Sequence, residues 1–416
     1  MTNNEWYQVD NVANVFLASI NDRDTRSLRI SCTLREDVRK DILQEALDQT
    51  VALRPQFHVR IQRGLFWNYM EDAYSRPVVK EEYRRVCPHL YNAENRKRLH
   101  YEVTFFKNRI NLDLFHAISD GTGALDFLNL LLLNYLKKAH PGVLDDVLMG
   151  EGASAADLSE DSFQNFYENN TEAPVSSGKA YHPKGGKLPF NQLQFFELHM
   201  PVSEILSRAR QSGVSMTSYI GARLIMVLLQ DMPSNKRDLP VTISMPVNLR
   251  NYYPSASSRN FFNNVNVSHM YTGDENLESL LEEYDRILKE SLAPGKITGH
   301  MNHYQKLAQS AAIRAVPLLL KQQGLRFAAK QDDSRVSAVI SNMGAVKVPK
   351  EMQQFINYYS AFCSSMNLFL TICSFSDKLV ITVTSPYSST NVIKNFVRGL
   401  TNEDIPVRVF ATEVIR

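Results

Sequence analysis

The sequence predicts a mixed α/β fold arranged as two lobes, and three observations carry that prediction. Segments that alternate apolar and polar residues, as half-buried strands do, recur among segments with helical spacing along the whole chain. At 416 residues the chain is long for one domain and sufficient for two. From Gly150 to Lys187 the composition turns to Gly, Ser, Ala, Asp, Glu, Asn and Pro, with scattered aromatics such as Phe163, Phe166 and Tyr167. That stretch reads as a linker over 151–190 between a lobe at 1–150 and a second lobe at 191–416.

Leu28 to Leu34 alternates as a strand. Val38, Ile42, Ala46 and Leu53, with Leu43 and Leu47 beside them, then recur at helical spacing until Arg54-Pro55, where the proline stops the helix. Phe57–Ile61 and Phe66–Met70 read as a hairpin about Arg63-Gly64, and Tyr101–Phe106 with Ile110–Leu114 as another about Lys107-Asn108-Arg109. Leu125 to Lys138 is apolar nearly all round, the mark of a buried helix. The second half continues with a strand at Leu193–Met200, helices at Val202–Ser212 and Thr217–Leu229, and strands at Val241–Met245 and Asn264–Tyr271. Helices near Leu277–Leu292 and Gln305–Lys321 and a strand at Val336–Ile340 follow. A hairpin of Asn367–Phe375 and Lys378–Thr384, a helix near Val392–Leu400 and a strand at Val407–Ala411 complete the pattern. No fixed-period repeat occurs. Two lobes with a cleft between them are therefore expected, and small-molecule sites favour such clefts.

The strand before the buried helix runs into His116-Ala117-Ile118-Ser119-Asp120-Gly121, followed by Thr122-Gly123. A strand end, a glycine-bracketed turn and a buried helix would hold an imidazole rigidly at a lobe edge. Such an imidazole suits general-base chemistry, since its ordinary pKa of about 6.5 lies near neutral pH. The same residues also read as a surface histidine and an aspartate capping the helix, and the residues alone leave both open. No metal site is expected at His116 and Asp120, because two ligands are too few. His300 and His303 read as a loop without a cysteine or carboxylate cluster near them. There is no Gly-x-Ser-x-Gly elbow, Gly-rich phosphate loop, GxGxxG or HExxH, which disfavours the chemistries those motifs serve.

The charges nearly cancel, 46 Lys+Arg against 44 Asp+Glu. The basic clusters at Asn95-Arg96-Lys97-Arg98 and Lys137-Lys138 have acidic neighbours, so the phosphate-neutralising stripe of a nucleic-acid binder is missing. Hydrophobic residues make up 44% and charged ones 22%, a balance that supports a sizeable core. Cys32, Cys87, Cys363 and Cys373 lack CxxC spacing and suit a reducing compartment. Met1 to Trp6 lacks the charged and apolar regions of a signal peptide. The longest apolar run, Leu125–Leu136, is about twelve residues and holds Asn129 and Asn134, where a membrane span needs about twenty. The expectation is a cytoplasmic protein with no membrane span.

Four stretches spread over most of the chain carry a family resemblance. Phe115 to Gly121 contains His-x-x-x-Asp-Gly. Met245-Pro246-Val247-Asn248-Leu249-Arg250, followed by Arg259-Asn260-Phe261-Phe262, is similar to a Pro-Val-Asn-x-Arg strand end with a later Asn-Phe. Ile340-Ser341-Asn342-Met343-Gly344 is similar to a Ser-Asn-x-Gly strand, and Arg54-Pro55 fits the end of the early helix. Together they resemble the CoA-dependent acyltransferase superfamily with the chloramphenicol acetyltransferase-like fold. That superfamily takes in alcohol acetyltransferases, BAHD acyltransferases and the condensation domains of nonribosomal peptide synthesis. Phe115 stands where condensation domains and wax-ester-type enzymes carry the first of two histidines, and the Asp-Phe-Gly-Trp-Gly motif of plant-type BAHD enzymes is absent. The resemblance is thus nearest to the bacterial alcohol acetyltransferase-like group.

What the resemblance implies is specific. Two lobes form a V with the active site at their interface. His116 deprotonates an alcohol or amine acceptor, which attacks a thioester carbonyl directly, without a covalent enzyme intermediate. Asp120, beside Gly121, turns away from substrate and pairs with Arg250; a buried carboxylate without such a partner would be costly. The oxyanion needs a donor close to the carbonyl, and Ser341, Asn342 and Asn248, at strand ends facing the cleft, are the candidates, with Asn260 a further cleft residue. Acyl-CoA is the implied co-substrate and a small-molecule alcohol or amine the implied acceptor. No bound cofactor and no metal are implied. Two alternatives stay open: transfer from an acyl carrier protein in place of CoA, and a non-catalytic binding protein of the same fold.

Overall fold

A computed structural model describes residues 6–83, 85–92, 99–149, 153–169, 178–190 and 192–411. The basic cluster Asn95–Arg98, the first five residues and parts of the expected linker lie outside the described residues. Among the described residues, alternation along the chain is realised as three sheets. One has five strands in the order Ile356–Cys363, Ser27–Leu34, Arg109–Phe115, Tyr101–Phe106 and Lys80–Glu81. A second has seven, in the order Phe262–His269, Val241–Asn248, Ala338–Ala345, Leu368–Phe375, Lys378–Ser385, Gln194–Pro201 and Arg408–Ala411. Tyr7–Gln8, Asn68–Asp72 and Val59–Arg63 make a small third sheet. Parallel and antiparallel pairings are mixed in the two larger sheets.

Local signals act where the sequence places them. The helix Lys40–Leu53 stops before Pro55, which opens a short 3-10 turn. At the first hairpin the Gly64 N–H donates to the Trp67 carbonyl at 2.9 Å, and a Cβ on Gly64 would stand 2.8 Å from that oxygen. The helix Gly121–Ala139 is buried over most of its length, with Phe127, Leu128, Leu131 and Leu132 fully enclosed. Each large sheet backs its own apolar core. Ile30, Leu112 and Leu128 belong to one, and Ile220, Ile243, Leu370 and Ile381 to the other.

Other elements follow from long-range packing. Ile356–Cys363 is absent from the sequence reading, because its Asn, Tyr and Ser residues break the alternation. It pairs antiparallel with Ser27–Leu34 and so completes the five-stranded sheet from far along the chain. Its Ser360 hydroxyl donates to Glu197 of the seven-stranded sheet at 3.0 Å, and Arg109 reaches Glu197 at 3.0 Å and Tyr358 at 2.8 Å. The two Glu197 contacts fasten the sheets together. The sequence reading also lacks the helix Asn11–Ser19, which Asp10 caps by accepting from the Ala13 N–H at 2.7 Å.

Three readings differ from the structure. The helix expected over Gln305–Lys321 is instead three, Pro294–Gln309, Ala311–Ala315 and Leu318–Asp333, with breaks at Ser310 and at Val316-Pro317. Pro317 lacks the N–H a continuous helix would use, and the residue before a proline is pushed out of helical backbone. His300 and His303 lie on the first of these helices, and not in a loop. Within the expected linker, Ala155–Ser159 and Ser162–Asn165 are helical and bury Leu158 and Phe163. Among the described residues no single helix is long and apolar enough to cross a membrane.

Candidate active site

The strand Arg109–Phe115 delivers His116 to its end, where the His116 N–H donates to the Arg26 carbonyl at 2.9 Å. One turn of chain later Asp120 becomes the N-cap of the buried helix. Its Oδ1 accepts from the N–H groups of Thr122 and Gly123 at 3.1 and 3.0 Å. Its Oδ2 accepts from an Arg250 guanidinium nitrogen at 2.7 Å and from the Phe261 N–H at 3.0 Å. The capping reading and the ion-pair reading of Asp120 are therefore both realised, one on each oxygen. A carboxylate so saturated has no lone pair left to face a substrate.

Arg250 carries the other half of this lock. Its remaining donors reach the carbonyls of Ser257 and Arg259, at 2.7 Å each from one terminal nitrogen, and the Asn248 side chain at 3.2 Å. The loop Ser257–Asn260 is thereby clamped against the first turn of the helix. Gly123 permits that approach, since a Cβ there would come within 2.3 Å of both the Ser258 carbonyl oxygen and the Ser119 hydroxyl. Gly121, the glycine of the sequence motif, is less constrained: a Cβ would meet only the Met343 methyl at 3.8 Å.

The clamped loop presents Asn260 to the back of His116. His116 Nδ1 and Asn260 Oδ1 are 3.1 Å apart, and Asn260 Nδ2 donates to Asp10 Oδ2 at 3.3 Å. The Asp10 carboxylate can only accept when ionised, so it orients the Asn260 amide with its oxygen toward the imidazole. Nδ1 then carries the proton and Nε2 is the basic nitrogen. Phe16 lies against the ring at 4.7 Å between centroids and Phe262 at 5.8 Å. Burial holds His116 below the ordinary histidine pKa, opposed by the nearby Asp120 charge and the Asn260 bond and reinforced by Arg26. Burial also pushes the Asp10 carboxyl up to about 6, against the pull of Arg259.

His116 borders a cavity of about 1520 Å³ lined by Leu28, Ile30, Phe16 and Thr122 on the side of the five-stranded sheet and by Pro246, Phe262, Ser341 and Thr371 of the seven-stranded sheet. That exceeds the volume of a pocket for one small ligand, which is about 300–1,000 Å³. Ser341, Asn342 and Asn248 all lie on its wall. Asn342 donates to the Thr217 hydroxyl at 2.8 Å and accepts from Gly344 N–H at 2.8 Å, which ties it to the strand irregularity beside it. Asn248 donates to Thr122 at 3.1 Å and caps Arg250. Asn260, expected in the cleft, stands behind the imidazole, nearly fully buried, with both ends of its amide engaged. Sequence reasoning missed Asp10 and Phe16, since neither lies in a motif and both sit on a helix that the pattern does not reveal. Among the described residues no group of three or more His, Cys, Asp or Glu is placed to hold a metal ion.

No family model matches this chain, and no curated protein sequence does. Solved structures do. The TRI101 protein of F. sporotrichioides, complexed with coenzyme A and T-2, superimposes with a TM-score of 0.65 at 11% identity, covering 97% of this chain and 99% of that one. The first condensation domain of the CDA synthetase gives a TM-score of 0.59 at 14% identity, with 97% and 99% covered. Polyketide synthase associated protein 5 of Mycobacterium tuberculosis gives 0.60 at 13%, with 94% and 96% covered. This chain has the two-lobed, chloramphenicol acetyltransferase-like fold that those structures share. The likeness spans nearly the full length of each partner, and at these identities it speaks for the fold.

Proposed function

We propose that this protein is an acyltransferase that moves an acyl group from a CoA thioester to an alcohol or amine, with His116 as general base. The observation that carries the reading is the His116 imidazole at the wall of a large two-sided cavity, with Nδ1 bonded to Asn260 and Nε2 left basic. The acceptor donates its proton to Nε2 as its oxygen or nitrogen attacks the thioester carbonyl. When the tetrahedral intermediate collapses, the C–S bond breaks and the same proton passes to the departing thiolate. The depressed pKa keeps the imidazole neutral, and thus able to accept, at pH 7. Ser341 is the preferred oxyanion donor, since Asn342 and Asn248 are committed to Thr217, Thr122 and Arg250. Asp120 and Arg250 hold the base in place without touching substrate.

The test is thiol release from short-chain acyl-CoA across a panel of alcohols and amines, with calorimetry of CoA binding. Acceptor-dependent release that disappears in His116→Ala supports the reading. Transfer only from an acylated carrier protein would replace the donor, and neither CoA binding nor transfer would leave a non-catalytic binding protein.

A further inference from the structure

Residues 291–331 differ from the rest of the chain in charge, holding six Lys or Arg and no Asp or Glu. Beyond Gln309 they are also poorly buried. Ala311–Ala315 buries no residue, and Leu318–Asp333 buries only Leu318 and Ala329. Leu319, Leu320 and Phe327 are instead 71%, 65% and 70% exposed. At about 100° per residue, Leu320 and Phe327 share one face of that helix, with Leu319 and Lys330 along its border. The first hairpin extends the same surface: Leu318 N–H donates to the Leu65 carbonyl at 2.9 Å, and Leu65 is 73% exposed. The two acids that close the helix are paired, Asp332 with Arg335 at 3.3 Å and Asp333 with Arg26 at 3.6 Å. This surface adjoins the active-site cavity, whose wall includes Phe66, Trp67, Tyr304, Leu307 and Ile313.

Large exposed apolar side chains in one place mark an interaction surface. Their mixture with basic residues and no acids selects the partner. A purely apolar protein surface would not call for the charge, and a soluble polyanion would not call for Leu319, Leu320 and Phe327. A bilayer with negative headgroups uses both, apolar side chains entering the acyl boundary while lysines meet the headgroups.

We propose that residues 291–331, with the Leu65 hairpin tip, dock on an anionic lipid surface, Leu319, Leu320 and Phe327 entering the interface and Lys306 and Lys330 meeting the headgroups. The cavity mouth then faces the bilayer. On the acyl-transfer reading, on which this last step rests, His116 gains access to an amphiphilic alcohol or amine held in the membrane.

The full chain is sedimented with vesicles of phosphatidylcholine alone and with vesicles containing about 30% phosphatidylglycerol, at low and high salt. Binding to the anionic vesicles that weakens with salt is expected. Leu319→Ser/Leu320→Ser/Phe327→Ser and, separately, Lys306→Glu/Lys330→Glu should each lower partitioning about tenfold or more, with thermal melts unchanged because the side chains are exposed. Absence of binding to anionic vesicles overturns the proposal, as does equal binding by the variants. Wild-type dimerisation abolished by the Leu/Phe variant would assign the surface to a second copy and also overturn it. Sedimentation needs no turnover, so its failure leaves acyl transfer standing, and failure of transfer to a soluble short-chain alcohol leaves docking standing.

Discussion

Behind His116 the polar atoms are bound to one another, whereas across the cavity the helices spanning 294–333 leave apolar side chains in the open. Asp120 uses both oxygens, Arg250 uses all three guanidinium nitrogens, and Gly123 leaves no room for a methyl group between helix and loop. On the outer side, five consecutive helical residues bury nothing. On the proposed function, the difference follows from what each region must hold still. A general base works only if its nitrogen stays within hydrogen-bond reach of the acceptor, so its support is over-determined. A surface that meets a partner keeps its apolar area uncommitted until the partner arrives.

The sharpest way to break this comparison is to remove the proposed base. His116→Ala should lower kcat/KM by about 10² or more while the far-UV signature stays near wild type, because the side chain sits at a strand end. An unchanged rate with a working substrate pair would end the assignment. Next in size is the lock. Asp120→Ala and Arg250→Ala should each cost about 3–5 kcal/mol in urea unfolding, since each leaves a buried partner uncompensated, and the double variant should lose less than the sum. Additive losses would show that the two side chains act separately.

Gly123→Ala should cost about 1–3 kcal/mol, because the Ser119 hydroxyl can rotate away but the Ser258 backbone, also in the clash, cannot. Gly121→Ala, by contrast, should stay within about 1 kcal/mol, the ordinary helix preference of alanine offsetting its loose contact. Equal effects at the two glycines would mean that the loop relaxes.

The smallest expected effects concern pH. Asp10 keeps its proton up to about pH 6 in the native chain, against an ordinary value of 3.8. Between those values the native state binds more protons than the unfolded one, so stability should fall as pH rises through that window. Asp10→Asn should remove this fall, and urea unfolding of both proteins from pH 4 to pH 7 would measure it. His116 works in the opposite sense: its native pKa is lowered, so its contribution is lost as pH falls below the ordinary histidine value. The acid limb of kcat/KM should accordingly lie below the pH at which a free histidine titrates.

Much of the active-site wall is legible without the structure. His116 through Gly121 lies between a clear strand and a buried helix, and Asp120 and Arg250 occupy matching motif positions that the fold brings to 2.7 Å. The lock's second glycine and the bond from Asn260 to His116 are not legible, because each depends on how the loop Ser257–Asn260 approaches the helix from more than a hundred residues away. The outer helices show the complementary case. Their charge bias is plain in the sequence, but the exposure of Leu319, Leu320 and Phe327 is not, since the same leucines would read as core in a helix packed on both sides.

By itself the sequence determined where apolar faces recur, where Pro55 ends a helix and which histidine ends a strand, because backbone propensity and side-chain periodicity are local properties. Only the tertiary structure decided that Ile356–Cys363 joins the first sheet, that Asp10 orients the amide behind His116 and that the third helix of the outer arm faces outward. Those outcomes depend on which surfaces meet across long stretches of chain, and a pattern along one strand or helix carries no record of its partner.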